Sequence, residues 1–168
     1  MKKKLSCFWA AALSVFLCAA SFASDISRVR HVSDGDTLVL ENGEKVRLIG
    51  VDTPEMDNLK RNQQNARKNK IDEKLVLLFA SKAKDYMRQA IEGKTVRLEY
   101  DWQRLDKYGR TLAYVYRQED NLFLNADIIQ QGYGFSYNYF PYRYSDLFKG
   151  YEAAARKNNK GLWAPTEK

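Results

Sequence analysis

The spacing of apolar residues predicts a β-hairpin near the start of the chain. Apolar residues dominate positions 37–40 and 45–49, and the two runs flank the segment Glu41-Asn42-Gly43-Glu44. Asn-Gly favours a two-residue hairpin turn because both of its residues tolerate positive φ. The pattern therefore predicts two antiparallel strands joined through Asn42 and Gly43.

A two-residue loop also predicts which side chains share a face of the hairpin. It places Val39 opposite Val46, and it puts these two residues and Leu48 on the face that we expect to be the core side. Asp36 and Arg47 become diagonal neighbours on the other face. The hairpin is thus expected to bring a carboxylate close to a guanidinium group.

The rest of the chain contains both extended and helical patterns. Three more segments have the composition and alternation typical of strands, at about 26–32, at 95–100 and at 110–116. Three segments have helical periodicity, at 75–91, at 125–132 and from 146 to about 158. Asn125 is the expected N-cap of the second helix, and Ser145 opens the third. Gly93 and Gly161 are expected to stop the first and third helices, since glycine readily adopts the left-handed C-cap conformation.

The order of these elements favours a small barrel over other β-rich folds. Five strands are too few for a sandwich, and no parallel βαβ repeat is present. The expected class is α+β, mainly β: a closed antiparallel five-stranded barrel of the oligonucleotide/oligosaccharide-binding (OB) type with three helices. The pattern alone leaves other α+β folds open. A polar, basic insertion at 56–74 is expected to be a mobile, solvated loop, the alternative being a set of contacts to phosphate groups.

The first 23 residues have the features of a secretory signal peptide. Three lysines at 2–4 precede an apolar stretch at 5–20, and Ser21-Phe22-Ala23 offers small residues for cleavage after Ala23. A membrane anchor is disfavoured because the stretch is short for a spanning helix and lacks a stop-transfer flank. We therefore expect one domain at 24–168 that is exported to the periplasm or secreted, without stable membrane association.

Composition narrows the chemistry that this domain can use. Hydrophobic residues make up 45% of the chain and aromatic residues 13%, which is enough to fill a single core. Lys and Arg number 28 against 21 Asp and Glu, and the net charge of +7 favours polyanionic partners. The chain has a single His, and both Cys lie in the expected signal peptide. A His/Cys metal site or a Cys–His nucleophile therefore has no residues to use.

Carboxylates lie at both ends of the predicted hairpin. Asp34-Gly35-Asp36-Thr37 leads into it, and Val51-Asp52-Thr53-Pro54-Glu55 follows it. Acidic side chains from two adjacent segments, together with a backbone carbonyl, can bind a hard cation such as Ca²⁺. Taken alone, each segment is more simply explained as a turn or a strand end.

Two arginines on predicted strands add a second chemical feature. Arg47 lies on the hairpin, and Arg110 follows the segment Asp106-Lys107-Tyr108-Gly109. Two guanidinium groups near a cation would form a clamp for phosphate oxygens, because each is a permanently charged planar fork. Strand arginines are usually solvated, so it is their combination with the acidic segments that points to phosphate chemistry.

In these segments the chain resembles the thermonuclease, or staphylococcal-nuclease-like, family. Three ordered motifs and a closing segment carry the resemblance: Asp34-Gly35-Asp36-Thr37, residues 47–55, Asp106-Lys107-Tyr108-Gly109-Arg110 and Gly161-Leu162-Trp163. The likeness covers nearly all of residues 24–168. It implies the five-stranded OB barrel with three helices. It also implies Ca²⁺-dependent hydrolysis of DNA and RNA that breaks the bond to the 5′ oxygen and leaves 3′-phosphates.

The resemblance assigns roles to particular residues. It implies that Ca²⁺ is bound by the carboxylates of Asp36 and Asp52 and by the backbone carbonyl of Thr53. The positions that match the family's catalytic residues are Arg47, Glu55 and Arg110. Among these, Glu55 is implied to be the general base or the group that orients the attacking water.

The resemblance also points to residues that contact the substrate. Lys107 and Tyr108 match positions that contact a second phosphate. The stretch at 133–144 is rich in aromatic residues, and tyrosines that line the nucleotide pocket fall here in the family. Tyr137 and Tyr139 are the expected pair, and packing in the core is the alternative for about half of these aromatic residues.

The leading hypothesis is an exported, monomeric nuclease that cleaves DNA and RNA without sequence preference. The alternative is a catalytically silent OB-fold protein that binds nucleic acid, because this fold hosts many binders. A pure binder has no need for both acidic segments beside both arginines, which favours the enzyme. A basic secreted protein that acts on membranes or on cell-wall polyanions is the weakest hypothesis, since the helix at 75–91 has an apolar stripe suited to a core.

Overall fold

The computed structural model of the chain describes residues 25–165, and the expected signal peptide lies outside them. The strands are β1 (Asp25–Asp34), β2 (Thr37–Leu40), β3 (Lys45–Leu48), β4 (Val51–Asp52), β5 (Thr95–Glu99), β6 (Thr111–Arg117) and β7 (Phe135–Ser136). The helices are α1 (Leu59–Asn69), α2 (Glu73–Ile91), α3 (Leu124–Gln130) and α4 (Ser145–Lys157), followed by a 3₁₀ turn at Gly161–Trp163.

Five of the strands close into a barrel in the order β1-β2-β3-β6-β5, with β5 pairing back to β1. β3 and β6 run parallel, and the other neighbours are antiparallel. The expectation of a wholly antiparallel barrel is therefore wrong at one pairing, because the long connection through α1, α2 and β5 lets β6 return in the direction of β3. β4 and β7 form a separate two-stranded sheet. The fold is the α+β OB barrel, with four helices in the described residues rather than three.

The barrel interior and the helices that cover it share one hydrophobic core. α2 contributes Met87 and Ile91, α4 contributes Phe148, and all three side chains are fully buried. A smaller apolar cluster joins α1 and α2 to the 3₁₀ turn, with Ala66 of α1 and Leu162 as members. Full burial of a large apolar side chain stabilises a fold by about 1.5–3 kcal/mol. These contacts hold α1 and α2 in place beside the barrel edge that carries the acidic segments.

The hairpin of β2 and β3 exists as predicted, but its register is shifted by one residue. Its loop has three residues, 41–43, and Gly43 adopts φ +85°, which gives a turn followed by a left-handed glycine. Leu38 therefore pairs with Val46, and Val39 lies opposite Lys45. Leu38 and Val46 lie in the core, whereas Val39, expected on the core side, is buried on the other face. Val46 and Leu48 of β3 lie in the core as predicted, so the extra loop residue exchanges the two faces of β2 only, because side chains alternate along a strand.

The basic insertion at 56–74 is not a solvated loop, and that expectation is wrong. Its central part folds as α1, whose N-cap Asn58 accepts a hydrogen bond from the Arg61 N–H at 3.1 Å. The helix ends at Lys70, which adopts a left-handed conformation with φ +56°. Ala66 is buried against α2 and the 3₁₀ turn. Tertiary packing on this small apolar face stabilises a helix that is otherwise polar.

Asn125 is not the N-cap of α3. The helix begins one residue earlier, and Asn125 is buried within its first turn. Its side-chain oxygen accepts from the Val115 N–H at 2.9 Å, and its Nδ2 donates to the carbonyls of Ile49 at 2.9 Å and Ala113 at 3.1 Å. The amide therefore joins α3 to β6 and to the end of β3, where backbone groups need partners inside the protein.

Two glycines behave differently at the ends of their helices. Gly93 adopts φ +75° just after α2, as expected. α4 ends at Lys157, and Asn159 with φ +52° makes the left-handed turn that was expected at Gly161. Gly161 instead lies against Gly132, whose carbonyl oxygen would be 2.3 Å from a Cβ at 161.

Among residues 25–165, no helix has the length and apolar character needed to cross a membrane.

Replacing Asn125 by Ala is expected to lower the free energy of unfolding by about 3 kcal/mol. The change leaves the Val115 N–H and the Ile49 carbonyl buried without this partner, and each such group costs about 1–3 kcal/mol. Urea unfolding measures the loss. Asn158→Ala is the matched control, because its amide is exposed at the end of α4, and it should change stability by less than about 0.5 kcal/mol. A similar effect of both changes would contradict the role given to the buried amide.

Candidate active site

The acidic segments meet at one edge of the barrel. Asp36 lies in the turn between β1 and β2, Asp52 and Thr53 lie at the end of β4, and all three are buried. The Thr53 N–H donates to Asp36 Oδ2 at 3.0 Å. Gly35 permits this approach, because a Cβ there would lie only 2.7 Å from Thr53 Oγ1. The turn before β2 and the end of β4 are therefore in direct contact.

Arg47 of β3 bridges the two buried aspartates. Its Nη1 forms an ion pair with Asp36 Oδ1, and its Nη2 lies 3.6 Å from Asp52 Oδ1 and donates to the Val51 carbonyl at 3.1 Å. Burial lowers the pKa of Arg47, while the charge of Asp52 opposes that shift. Asp36 and Arg47 are thus close together, as predicted. The hairpin register that brings them together is different, because Arg47 pairs with Thr37 in the sheet.

The donors at this edge fit a cation that prefers oxygen ligands. Asp36 and Asp52 offer carboxylate oxygens, and the Thr53 hydroxyl is buried without a hydrogen-bond partner. Hard cations such as Ca²⁺ take all-oxygen surroundings and accept water as further ligands. Residues 25–165 contain no group of three or more His, Cys, Asp or Glu side chains arranged to hold a metal ion. A cation here would therefore depend on two carboxylates, other protein oxygens and water.

Glu55 is positioned by the start of α1. Asn62 is fully buried, and it accepts from the Glu55 N–H at 3.1 Å and donates to the Glu55 carbonyl at 2.6 Å. The Glu55 carboxylate accepts from Asn58 Nδ2 at 3.2 Å and from Arg61 Nη1 at 2.7 Å. Its side chain is 31% exposed. The backbone of Glu55 is thus fixed while its carboxylate remains within reach of solvent.

α1 also contributes residues that the sequence pattern did not reveal. Arg61 Nη2 contacts Asp52 Oδ1, and Asn65 Nδ2 donates to Asp52 Oδ2 at 3.2 Å. Arg61, Asn62 and Asn65 were missed because the insertion was expected to be a loop. The available signal was Asn58, a favourable N-cap followed by polar residues three, four and seven positions later.

Arg110 approaches the same edge from the turn before β6. Its Nε donates to Asp106 Oδ2 at 2.7 Å, and its Nη1 lies 3.5 Å from Thr37 Oγ1. Burial alone would raise the pKa of Asp106, but hydrogen bonds from Arg110 and from the Tyr108 N–H lower it. An ionised carboxylate therefore orients Arg110 beside Thr37, the neighbour of Asp36 in the chain.

Lys107 and Tyr108 lie on the exposed turn that carries Arg110. Tyr108 is 72% exposed, and its ring centroid is 4.9 Å from Lys107 Nζ and 5.5 Å from the Arg110 guanidinium carbon. Gly109 completes the turn with φ +78°. An exposed ring between two positive charges can contact both a base and a phosphate of a nucleic acid strand.

The aromatic residues at 133–144 divide between the core and the surface. Those that lie in the main core or pack against it are Tyr133, Phe140, Tyr142 and Tyr144. Tyr137 and Tyr139 belong to neither apolar cluster, their ring centroids are 4.9 Å apart, and Tyr139 is 70% exposed. The Tyr137 N–H donates to the Gly50 carbonyl at 2.9 Å. This bond holds the ring pair next to the segment that leads to Asp52.

The fold and this edge define a class of protein: an OB barrel whose rim carries buried carboxylates bridged by guanidinium groups. Residues 45–165 match the model of a protein family described as "Staphylococcal nuclease homologue". The chain belongs to this family, as the sequence motifs predicted.

Several relatives match most of the chain. The thermonuclease of Staphylococcus hyicus is 33% identical over 141 residues, which cover 82% of this chain and 75% of the relative. The thermonuclease of Staphylococcus intermedius is 33% identical over 139 residues, or 80% of this chain and 74% of the relative. The micrococcal nuclease of Shigella flexneri is 29% identical over 178 residues, or 98% of this chain and 89% of the relative.

Replacing Arg47 by Met is expected to destabilise the protein by about 3–5 kcal/mol, because Asp36 and Asp52 would stay buried without the charge that bridges them. Arg110→Met is the matched comparison and should cost about 1 kcal/mol or less, since Asp106 keeps two backbone N–H donors. Urea unfolding at neutral pH measures both losses. Equal losses would show that the Arg47 bridge contributes no more than an ordinary surface pair.

Proposed function

We propose that this chain is a nuclease that hydrolyses phosphodiester bonds of DNA and RNA with Ca²⁺ and without sequence preference. The observation that carries the proposal is the barrel edge where Arg47 bridges Asp36 and Asp52. Glu55 is linked to this group through Arg61, and Arg110 through Thr37. The relatives named thermonuclease and micrococcal nuclease support nuclease activity.

Asp36, Asp52 and the backbone carbonyl of Thr53 would hold the cation. The carboxylates are buried and close enough to share Arg47. Bound there, Ca²⁺ would supply positive charge to the phosphate oxygens and a site for the attacking water. The unpartnered Thr53 hydroxyl places a further oxygen in the same segment.

Glu55 and the two arginines would carry out the bond cleavage. Glu55 accepts a proton from the attacking water as the water oxygen bonds to phosphorus. The bond from phosphorus to the 5′ oxygen breaks, that oxygen takes a proton from solvent, and a 3′-phosphate remains. Arg47 and Arg110 stabilise the negative charge that develops on the phosphoryl oxygens.

The half-buried ring of Tyr137, the exposed ring of Tyr139 and the neighbouring charges would bind the rest of the strand. Tyr137 and Tyr139 offer faces on which bases stack, and stacking tolerates every base. Lys107 and Tyr108 lie on the same turn as Arg110, where they would contact a neighbouring phosphate. None of these contacts depends on the pattern of hydrogen-bonding groups on a base, which agrees with cleavage at any sequence.

We also propose that the enzyme is exported and that it acts as a monomer. The basic and apolar residues at 1–23 would direct the chain across the membrane and be removed after Ala23. The remaining residues would act in the periplasm or outside the cell.

Cleavage of a fluorescent oligonucleotide tests the function. We expect single-stranded and double-stranded DNA to be cut with Ca²⁺ and left intact with a chelator. Glu55→Gln and Arg110→Met should each lower kcat by about 100-fold or more, because one removes the base and the other a charge on the phosphoryl group. Binding of the uncut strand should change far less.

Glu41→Gln serves as the control, since this glutamate is exposed on the hairpin loop. It should leave kcat unchanged. Tight binding without cleavage in any ion would favour the silent binding barrel instead, and an unaltered kcat in Glu55→Gln would refute its role as base.

Removing the rings of Tyr137 and Tyr139 tests the stacking surface. Tyr137→Ala and Tyr139→Ala should each weaken binding of a single-stranded oligonucleotide by about 1–3 kcal/mol, or roughly five-fold to more than a hundred-fold in Kd. The corresponding Phe variants keep the ring and should bind nearly as well as the wild type. Fluorescence anisotropy with a chelator present measures binding without cleavage. Equal loss in the Phe and Ala variants would show that the hydroxyl groups, not the rings, make the contact.

A further inference from the structure

Arg61 occupies a position at the site that the family motifs do not assign. Its guanidinium contacts Asp52 Oδ1 through Nη2 and Glu55 Oε1 through Nη1, the second at 2.7 Å. It therefore spans the expected cation ligand and the expected base. The Arg61 side chain is 31% exposed, whereas that of Asp52 is 7% exposed. A positive charge thus reaches the buried carboxylate from the solvent side.

The position of Arg61 is fixed by the helix that carries it. The Asn58 side chain caps α1 by accepting from the Arg61 N–H at 3.1 Å. The next residue, Asn62, makes its two hydrogen bonds to the Glu55 backbone. One turn later, Asn65 donates to Asp52 Oδ2. Since residues at these spacings share neighbouring faces of a helix, Asn62 and Asn65 hold α1 to Glu55 and Asp52 and so fix the position of Arg61 between them and the N-cap.

A divalent cation and the Arg61 guanidinium cannot both bind closely to the Asp52 carboxylate. Its Oδ1 is in contact with Arg61 and lies 3.6 Å from Arg47 Nη2, and its Oδ2 accepts from Asn65. A double positive charge bound to the same carboxylate would repel the guanidinium at a separation of a few ångströms. Arg47 is buried and anchored to the Val51 carbonyl, whereas Arg61 has a path to solvent. Arg61 is therefore the group that must move.

We infer that Arg61 competes with the divalent cation for Asp52, and that it neutralises Asp52 and Glu55 when the cation is absent. The inference rests on the proposed function, because it takes Asp36 and Asp52 as the cation ligands. Arg61 contacts two carboxylates of the site, yet its removal should strengthen the binding of the cation.

Lys60 provides a matched control on the same helix. It precedes Arg61, carries the same charge and is exposed. Replacing either residue by Gln removes one positive charge from the N-terminal turns of α1. A general effect of net charge on cation binding would therefore appear in both variants, while competition for Asp52 would appear only in Arg61→Gln.

Calorimetric titration of the protein with CaCl₂ at constant ionic strength tests the inference. We expect Arg61→Gln to bind Ca²⁺ about tenfold more tightly than the wild type, and Lys60→Gln to stay within about twofold. Thermal unfolding gives a second readout, in which Ca²⁺ should raise the Tm of Arg61→Gln more than that of the wild type. Arg61→Lys keeps the charge and should bind Ca²⁺ much as the wild type does. If Arg61→Gln fails to fold, Arg61→Met replaces it, since it also removes the guanidinium charge from Asp52 and should show the same gain of about tenfold.

The outcomes separate the inference from the function on which it rests. Equal or weaker binding of Ca²⁺ by Arg61→Gln, with clear binding by the wild type, would overturn the inference and leave the cation site intact. Absence of Ca²⁺ binding in every variant would overturn both. In each background Asp52→Asn should abolish binding, and binding that survives this change would place the cation elsewhere and overturn the competition.

Discussion

Arg47 spans two buried aspartates that come from different parts of the chain, and the edge of the barrel is organised around that contact. Two carboxylates buried close together repel each other and lose hydration, so they require a positive charge between them. Arg47 provides it with a planar fork that reaches Asp36, Asp52 and the Val51 carbonyl together. The bridge thereby joins the turn after β1, the middle of β3 and both residues of β4.

Glycine makes this arrangement sterically possible at two points. Gly35 lets the turn that carries Asp36 touch Thr53. Gly50 adopts φ +74° between β3 and β4, and a Cβ there would lie 2.6 Å from the ring of Tyr142. The reversal after β3 therefore needs a residue without a side chain. Without that reversal, Asp52 would not return to Arg47.

The site combines a rigid interior with an exposed rim. The bridge is buried, whereas Arg110, Tyr108 and Tyr139 lie on turns and surface segments around it. α1 closes the remaining side through the contacts of Arg61 with Asp52 and Glu55. In the proposed function, the buried bridge supplies the fixed charges that the reacting phosphate needs. The exposed residues supply contacts that can adapt to the rest of the nucleic acid strand.

The local sequence determined the elements with strong periodicity and supplied the residues to which the proposed chemistry is assigned. The hairpin follows from two apolar runs around Asn-Gly, and α2 follows from its apolar stripe. The order of the acidic and basic motifs was enough to indicate the family, which the match over residues 45–165 confirmed. These features are short-range or compositional, and they can be read without knowing which segments touch.

Tertiary contacts decided the hairpin register, the helical state of α1 and the partners of Asn125, which the sequence pattern did not predict. The three-residue loop ending at Gly43 set the hairpin register, and one residue of shift moved Val39 off the core face. α1 is almost wholly polar, so its helical state depends on Ala66 packing against α2 and on Asn62 binding Glu55, contacts that form only in the folded chain. Asn125 likewise has its partners in β6 and after β3. The sequence thus determined which groups the site contains, and only the folded barrel decided that Arg61 would join them, because that contact depends on how one helix packs.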